Sequence, residues 1–377
     1  MILHEPGRPR AALEASPDAS GPEPLTLDEA EVRRILGQEY GIAAGTADSA
    51  GSADSASSAI RLRYLDGELS TVCRVETGRA PLVFKAVAAS AVSPESFIWQ
   101  GEVQAALAER GLPVAAMLPT RSSGSLTARC RAGAHGGQEI LVQVSSWLEG
   151  APLSEGLPDE RLLAELGRTA ARMRLALDEV PPAPVRVSHT WELSRSRRSI
   201  EEALPGIGDP AVAALVREAA ARFAAEVEPV LPVLPRAVVH HDLHDSNVLV
   251  APGITAEGAS GREPRVTGVL DFGDMVEGLR IADLVVPAAY ASRHYEDPAH
   301  ALRVVTRAWT GLAPLTEAER RVLLPAATAR IGVNAAVWAA RADGPRAGYA
   351  RDRSARSRGA LERLLAVDPD AFLASLP

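Results

Sequence analysis

Lysine is nearly absent from this chain of 377 residues: of its 40 basic side chains, 39 are arginine and one, Lys85, is lysine. Asparagine is almost as rare, with only Asn247 and Asn334. Abundant Ala, Arg, Gly and Pro point to a compositional drift that turns most lysines into arginines. A position that stays lysine then marks a place where a planar guanidinium does not replace a compact ammonium. Two cysteines, Cys73 and Cys130, exclude a disulfide framework, a CxxC redox pair and a cysteine-rich zinc site. A basic excess is also lacking. The net charge of −8 speaks against binding a nucleic-acid backbone. No apolar run approaches the ~20 residues of a membrane span, and the first 24 residues lack the apolar centre of a signal peptide. A cytoplasmic protein without a nucleic-acid or membrane partner is expected; its oligomeric state is left open.

The pattern along the chain suggests two lobes. Residues 1–24 read as a disordered tail. Thr26 opens a T-L-D-E capping box before a helix that stops near Gly41. Residues 43–59 hold only Ala, Gly, Ser, Asp and Thr and read as a flexible linker. Alternating strands are expected from Ile60, over 68–77 and over L-V-F-K-A-V-A, with Asp66-Gly67 as a tight turn; together they form a small antiparallel meander carrying Lys85. Ser93-Pro94 starts a helix that ends near Gly111 and contains Glu102. A further strand covers 140–146, and W-L-E-G-A-P breaks the pattern. Beyond it helices dominate, at 162–177, 199–204, 210–228, 298–310, 316–341 and 357–366, with one β region between Ala237 and Phe272. The fold class is therefore α+β. An N-terminal lobe (25–145) with one inserted helix leads through a hinge (146–152) to a mainly helical C-terminal lobe (153–377).

The densest chemistry lies in V-V-H-H-D-L-H-D-S-N-V-L-V at 238–250 and L-D-F-G-D at 270–274. His240, Asp242 and Asn247 form H-x-D-x-x-x-x-N, and Asp271 begins D-F-G. With an upstream strand lysine and helical glutamate, these types fit phosphoryl transfer, which rests on positioning and charge neutralisation. Asp242 would accept the proton of an attacking hydroxyl. Asn247 and Asp271 offer the oxygen ligands that Mg²⁺ prefers. Lys85 would reach the donor phosphates of ATP or GTP, held by an ion pair with Glu102, although Glu95 and Glu109 lie on the same helix. His240 would brace the loop. A zinc hydrolase built on His240, His241 and His244 is the rival, disfavoured because strands leave no room for a metal-binding helix. Arg195, Arg197, Arg198 and the run from Arg346 to Arg358 read as solvated helix faces.

These residues resemble the aminoglycoside phosphotransferase and choline kinase superfamily, which shares the bilobal protein-kinase-like fold. The resemblance spans the chain from about residue 25. H-H-D-L-H-D-S-N, without a glycine-rich phosphate loop or an A-P-E signature, is unlike a protein kinase. I-W-Q-G-E-V-Q (98–104), S-S-W-L-E-G (145–150), W-E-L (191–193), G-V-L-D-F-G-D-M (268–275) and A-D-L-V-V-P-A-A-Y (282–290) look like the hydroxylysine kinase group. The resemblance implies transfer of phosphate to the hydroxyl of an amine-bearing small molecule, with GTP as a possible donor. It also implies that the backbone of Ser146, Trp147, Leu148 and Glu149 holds the purine edge. Asp245, Asp274 and Glu277 are candidates for meeting a cationic acceptor, Trp191 for lining its pocket, and Asp283 for anchoring the following helix. The alternatives are an aminoglycoside- or macrolide-type antibiotic phosphotransferase and a nucleotide-binding pseudokinase scaffold. The chain departs from the superfamily in placing His241 where glycine is usual and in a longer 251–265 stretch.

Overall fold

A computed structural model of the chain describes residues 24–42, 60–65, 67, 69–133, 137–186, 188–251, 265–342 and 347–377. The expected tail, the 43–59 linker, Asp66 of the tight turn and most of the 251–265 stretch lie outside the described residues. The chain divides into two compact units: Met1–Glu109 with Val114–Leu148, and Arg110–Pro113 with Glu149–Pro377.

The first unit is built on one antiparallel sheet. β1 (Arg61–Leu65), β2 (Ser70–Glu76) and β3 (Leu82–Ala88) form the expected meander. The sheet is larger than expected, however: β5 (Gln138–Ser146) pairs with β3, and β4 (Ala128–Ala132) closes the order β1-β2-β3-β5-β4. The sequence A-R-C-R-A of β4 hid it, because its alternate arginines are what a solvent-facing edge strand carries. Helix α1 (Glu29–Tyr40) packs Val32, Ile35 and Leu36 with Phe84, Ile140, Val142 and Val144 of the sheet. Its cap is Asp28 rather than Thr26: the Asp28 carboxylate accepts from Glu31 N–H at 2.8 Å, and the helix stops at Gly41, φ 68°. Helix α2 (Pro94–Glu109) begins as expected, with Ser93 Oγ accepting from Ser96 N–H and Pro94 in the first position. Its Phe97 packs with Val87 and Leu141.

In the second unit the start signals are repeated. Asp159 caps α3 (Glu160–Leu177), and three Asp-Pro pairs start α5 (Pro210–Glu226), α7 (Pro298–Thr310) and α10 (Pro369–Ala374). Between them lie α4 (Ser196–Ala203), α6 (Ala282–Ser292), α8 (Glu317–Ala340) and α9 (Ala347–Leu365). Thr316 and Glu319 make a full capping box at the start of α8. By length and composition α8 could cross a bilayer, but 94% of its apolar window is buried within the protein, as in a core helix. Short strands complete the unit: β7 (Arg236–Val239) pairs with β10 (Val276–Leu279), and β8 (Val248–Val250) lies between β6 (Ala151–Pro152) and β9 (Val266–Val269). β10 and α10 were not expected from sequence. α9 starts earlier than the apolar pattern suggested, because its first turns are rich in exposed arginine.

The approach of α3 and α7 is close at Gly167. A Cβ there would collide with the Val305 carbonyl oxygen and stand 3.0 Å from the Ala308 methyl. Gly167→Ala should therefore destabilise the second unit by roughly 1–3 kcal/mol, the range for overpacking a tight contact, despite the better helix propensity of alanine. Chemical denaturation of the two proteins checks this.

Candidate active site

The loop 240–247 connects β7 to β8, and the loop 270–275 connects β9 to β10. Strand pairing aligns the two: Val239 faces Val276, Val248 faces Val269, and Leu270 N–H donates to the Asn247 carbonyl at 2.8 Å. The polar loop thus sits at the ends of apolar strands, where the framework is rigid. His240, His241, Asp245, Ser246 and Asn247 are all buried.

Asp242 is the centre of this cluster. Its Oδ2 accepts from Asn247 Nδ2 at 2.7 Å, its Oδ1 accepts from Arg330 Nη2 at 3.3 Å, and its carbonyl also accepts from Asn247 Nδ2 at 3.1 Å. Burial, reinforced by the nearby Asp274 carboxylate, pushes the Asp242 carboxyl well above the ordinary range, while Arg330 opposes the rise. Asn247 turns its amide nitrogen toward Asp242 and so its oxygen away from it, which suits that oxygen to a hard cation. Asp271 is exposed at φ 59°, and its Oδ1 accepts from Gly273 N–H at 3.3 Å. The oxygen chemistry of this pair fits Mg²⁺. Among the described residues no group of three or more His, Cys, Asp and Glu is arranged to hold a metal, so the zinc rival gains no support.

The histidines are framework. Asp242 N–H donates to His240 Nδ1 at 3.3 Å, and the His240 ring stands edge-on to Phe272 at 4.7 Å. Burial pushes His240 down to about 4, so the imidazole is neutral and acts as an acceptor. His241 has φ 67°, a left-handed conformation that glycine adopts freely and that costs other residues about 1 kcal/mol. Two hydrogen bonds hold it there: its N–H donates to Asp283 Oδ1 at 3.1 Å, and its Nε2 accepts from Leu193 N–H at 2.9 Å. His244 stacks on Tyr290 at 5.2 Å and accepts from Ser246 N–H at 3.0 Å.

Two carboxylates play other parts than expected. Asp245 is not open to an acceptor: it is buried and accepts from Arg293 at 2.6 Å and His294 at 3.3 Å. Burial would raise its pKa, but Arg293 and the two histidines hold it well below the usual carboxylate range. Asp283 anchors the 240–247 loop through His241, and Arg174 lies 3.7 Å from its other oxygen. Asp274 is half-buried, with its carbonyl accepting from His189 Nε2 at 3.2 Å. Glu277 stands 3.9 Å from Arg186. Of the arginine clusters, Arg197 pairs with Glu228 and Glu201, and Arg198 with Glu202, as solvated helix faces do.

The remaining sequence candidates belong mainly to the first unit. Lys85 lies mid-strand on β3, opposite Val72 on one side and Gln143 on the other, and half-buried. Glu102 is exposed on α2. Ser146 N–H donates to the Ala116 carbonyl at 2.8 Å and Trp147 N–H to the Pro81 carbonyl at 2.9 Å. Those two donors are committed to the fold. The Trp147 ring carries the Arg74 guanidinium at 4.5 Å. Leu148 closes the first unit and Glu149 opens the main run of the second.

Arg330 was missed by the sequence reading. A signal was present: it interrupts the apolar stretch L-L-P-A-A-T-A-R-I-G-V-N-A-A-V-W, and a charge in a helix that is apolar on all sides is buried and needs a partner.

The model of the phosphotransferase enzyme family matches residues 62–323, more than half of the chain. Hydroxylysine kinase of Mus musculus is 26% identical over 238 residues, covering 62% of each chain. Hydroxylysine kinase of Danio rerio is 28% identical over 218 residues, covering 57% of this chain and 59% of the relative. The chain thus spans about three fifths of the length of these relatives. A microcompartment-associated aminopropanol kinase has a similar fold, with a TM-score of 0.64, 17% identity, and coverage of 90% of this chain and 98% of that one. An amicoumacin kinase in complex with AMP-PNP and Ca²⁺ gives a TM-score of 0.64 at 15% identity, with coverage of 92% and 97%. At these identities the structural likeness shows the fold, a mixed helix and antiparallel-sheet architecture of the protein-kinase-like kind.

Asp283 offers a test of the loop's anchoring. Burial pushes its carboxyl up to about 6 in spite of Arg174, against an unfolded value near 4. Folding therefore takes up a proton between those values, and the stability this group contributes is lost as pH rises from about 4 through 6. Asp283→Asn keeps an acceptor for His241 N–H and should remove that component. The stability difference between wild type and variant, from denaturant unfolding at stepped pH, should move in the variant's favour as pH rises. A difference that does not change with pH would contradict it.

Proposed function

Because the chain belongs to the phosphotransferase enzyme family, we propose that it is a small-molecule kinase that moves the γ-phosphate of ATP or GTP to an alcohol hydroxyl of an amine-bearing substrate, as a hydroxylysine kinase does. The observation that carries this reading is Asp242, held by Asn247 and Arg330 in the loop beside Asp271. The hydroxylysine kinases among its relatives support the acceptor class.

In this reading the acceptor hydroxyl donates to the Asp242 carboxylate, which takes its proton as the oxygen attacks phosphorus. Asn247 and Asp271 would hold Mg²⁺, which would neutralise charge on the donor phosphates. Lys85 meets those phosphates as a point charge. The backbone of Ser146, Trp147, Leu148 and Glu149 would meet the purine edge, with the N–H groups of Ser146 and Trp147 already engaged within the fold. Asp274 is the first candidate for the amine of the acceptor, since Asp245 is occupied by Arg293. A cytoplasmic setting, with its nucleotide pool and reduced Cys73 and Cys130, goes with this function.

The test is a screen of alcohols with ATP and GTP, reading nucleoside diphosphate. Hydroxylysine, homoserine, choline, ethanolamine and aminoglycosides should be included. Turnover of hydroxylysine or a similar amino alcohol is expected. Turnover restricted to aminoglycosides or macrolides would favour an antibiotic phosphotransferase, and Mg²⁺-dependent nucleotide binding without any turnover would favour a scaffold. Asp242→Asn should lower kcat by about 10²–10⁴-fold, the usual span for a general base, with nucleotide binding retained. Lys85→Arg keeps the charge and should still lose most activity.

A further inference from the structure

Arg330 is a cation that burial alone would forbid. It lies in the middle of α8 and is 1% exposed. A guanidinium taken out of water needs full pairing. Its Nη1 donates to the Trp191 carbonyl at 2.6 Å and its Nη2 to Asp242 Oδ1 at 3.3 Å. Its centre stands 5.3 Å from the Trp191 ring and 5.7 Å from the Tyr290 ring, within the reach of cation–π attraction.

Two separate nitrogens therefore grip two separate oxygens, one on the 240–247 loop and one on the segment before α4. The same segment is gripped again two residues on, where Leu193 N–H donates to His241 Nε2 at 2.9 Å. Asp242, Arg330, Trp191, Leu193 and His241 close a ring of contacts. Its effect on Asp242 is specific. With Oδ1 held by Arg330 and Oδ2 by Asn247, rotation of the carboxylate about its Cβ–Cγ bond would break two charge-assisted or amide hydrogen bonds together. Lysine could not do the same, because a single ammonium on a flexible stem does not hold Asp242 Oδ1 and the Trp191 carbonyl together in a fixed plane.

We propose that Arg330 is a positioning residue of the phosphotransfer: it fixes the plane of the Asp242 carboxylate and ties it, through the Trp191 carbonyl, to the Trp191–Leu193 segment. This rests on the kinase reading above. The role is one of orientation, so its loss should appear in kcat and not in nucleotide affinity.

The test compares wild type, Arg330→Lys and Arg330→Met for kcat and KM with the best acceptor found, for nucleotide affinity, and for basal nucleotide hydrolysis. Arg330→Lys retains charge and bulk and is expected to fold. Its kcat should fall about 100-fold, the cost of a misplacement near 1 Å, with KM for nucleotide unchanged. Arg330→Met strands a buried carboxylate and should melt below wild type. Adding Asp242→Asn should recover part of that loss, which reads the Arg330–Asp242 contact without any activity. Wild-type kcat in a folded Arg330→Lys overturns the proposal, as does a parallel loss of nucleotide affinity. If the wild-type protein turns over neither alcohols nor water, the kinase reading fails and this role fails with it. If it is active and Arg330→Lys is equally active, only the Arg330 role fails.

Discussion

Buried charge, matched carboxylate to guanidinium, is the constraint on which the 240–247 loop depends. Asp242 meets Arg330, Asp245 meets Arg293, and Asp283 faces Arg174. The three arginine side chains are 1%, 7% and 2% exposed, so none of these pairs gains its strength at a wet surface. Pairs of this kind contribute little net stability over apolar residues of the same size, but leaving one partner alone is costly. What they supply here is uniqueness: each aspartate has one place in which its charge is tolerated. The loop is thereby pinned at both ends and at its middle, and Arg174 reinforces this by also donating to the Val238 carbonyl on β7.

The arginine bias of the chain acquires a structural use in these contacts. A fork with several donors can serve two acceptors at once, as Arg330 does with Trp191 and Asp242 and as Arg174 does with Val238 and Asp178. The one lysine stands apart, on a central strand of the other unit. Rarity has a similar meaning for asparagine. Asn247 donates to Asp242, and Asn334 joins the Tyr290 hydroxyl to the Ser357 hydroxyl in the core. Each uses its amide as donor toward one partner and keeps an oxygen for another purpose, which neither Asp nor Gln reproduces at the same reach.

Backbone strain gathers at the same place. Among the described residues, His241 and Asp271 are the non-glycine residues with positive φ, and they stand in the 240–247 and 270–275 loops. Asp271 supports itself through the bond from Gly273 N–H, whereas His241 depends on Asp283 and Leu193. Such conformations persist only where surrounding contacts over-determine them. The His241 side chain thus supplies an acceptor for the Leu193 main-chain donor, and the imidazole remains neutral because burial holds its pKa well below the ordinary value.

By itself the sequence determined the fold class, the starts of α2, α5 and α7 and the order of Lys85, Asp242, Asn247 and Asp271. These are local properties: capping residues, Asp-Pro starts and apolar alternation act within a few positions. It also carried the family relation, through motifs spread over most of the chain. It misplaced the first helix cap, hid β4 behind arginines and β10 behind a short V-E-G-L, and made Asp245 a candidate for the acceptor. Asp245 could not be judged from its neighbours, since its partners Arg293 and His294 come from the far end of α6, nearly fifty residues away. The same holds for Asp242 and Arg330, separated by 88 positions. Only tertiary structure decided that Asp245 is held by Arg293 and His294 while Asp242 is shared between Arg330 and Asn247. Burial and pairing across the fold set the state of a charge, and neither is written in the residues on either side of it.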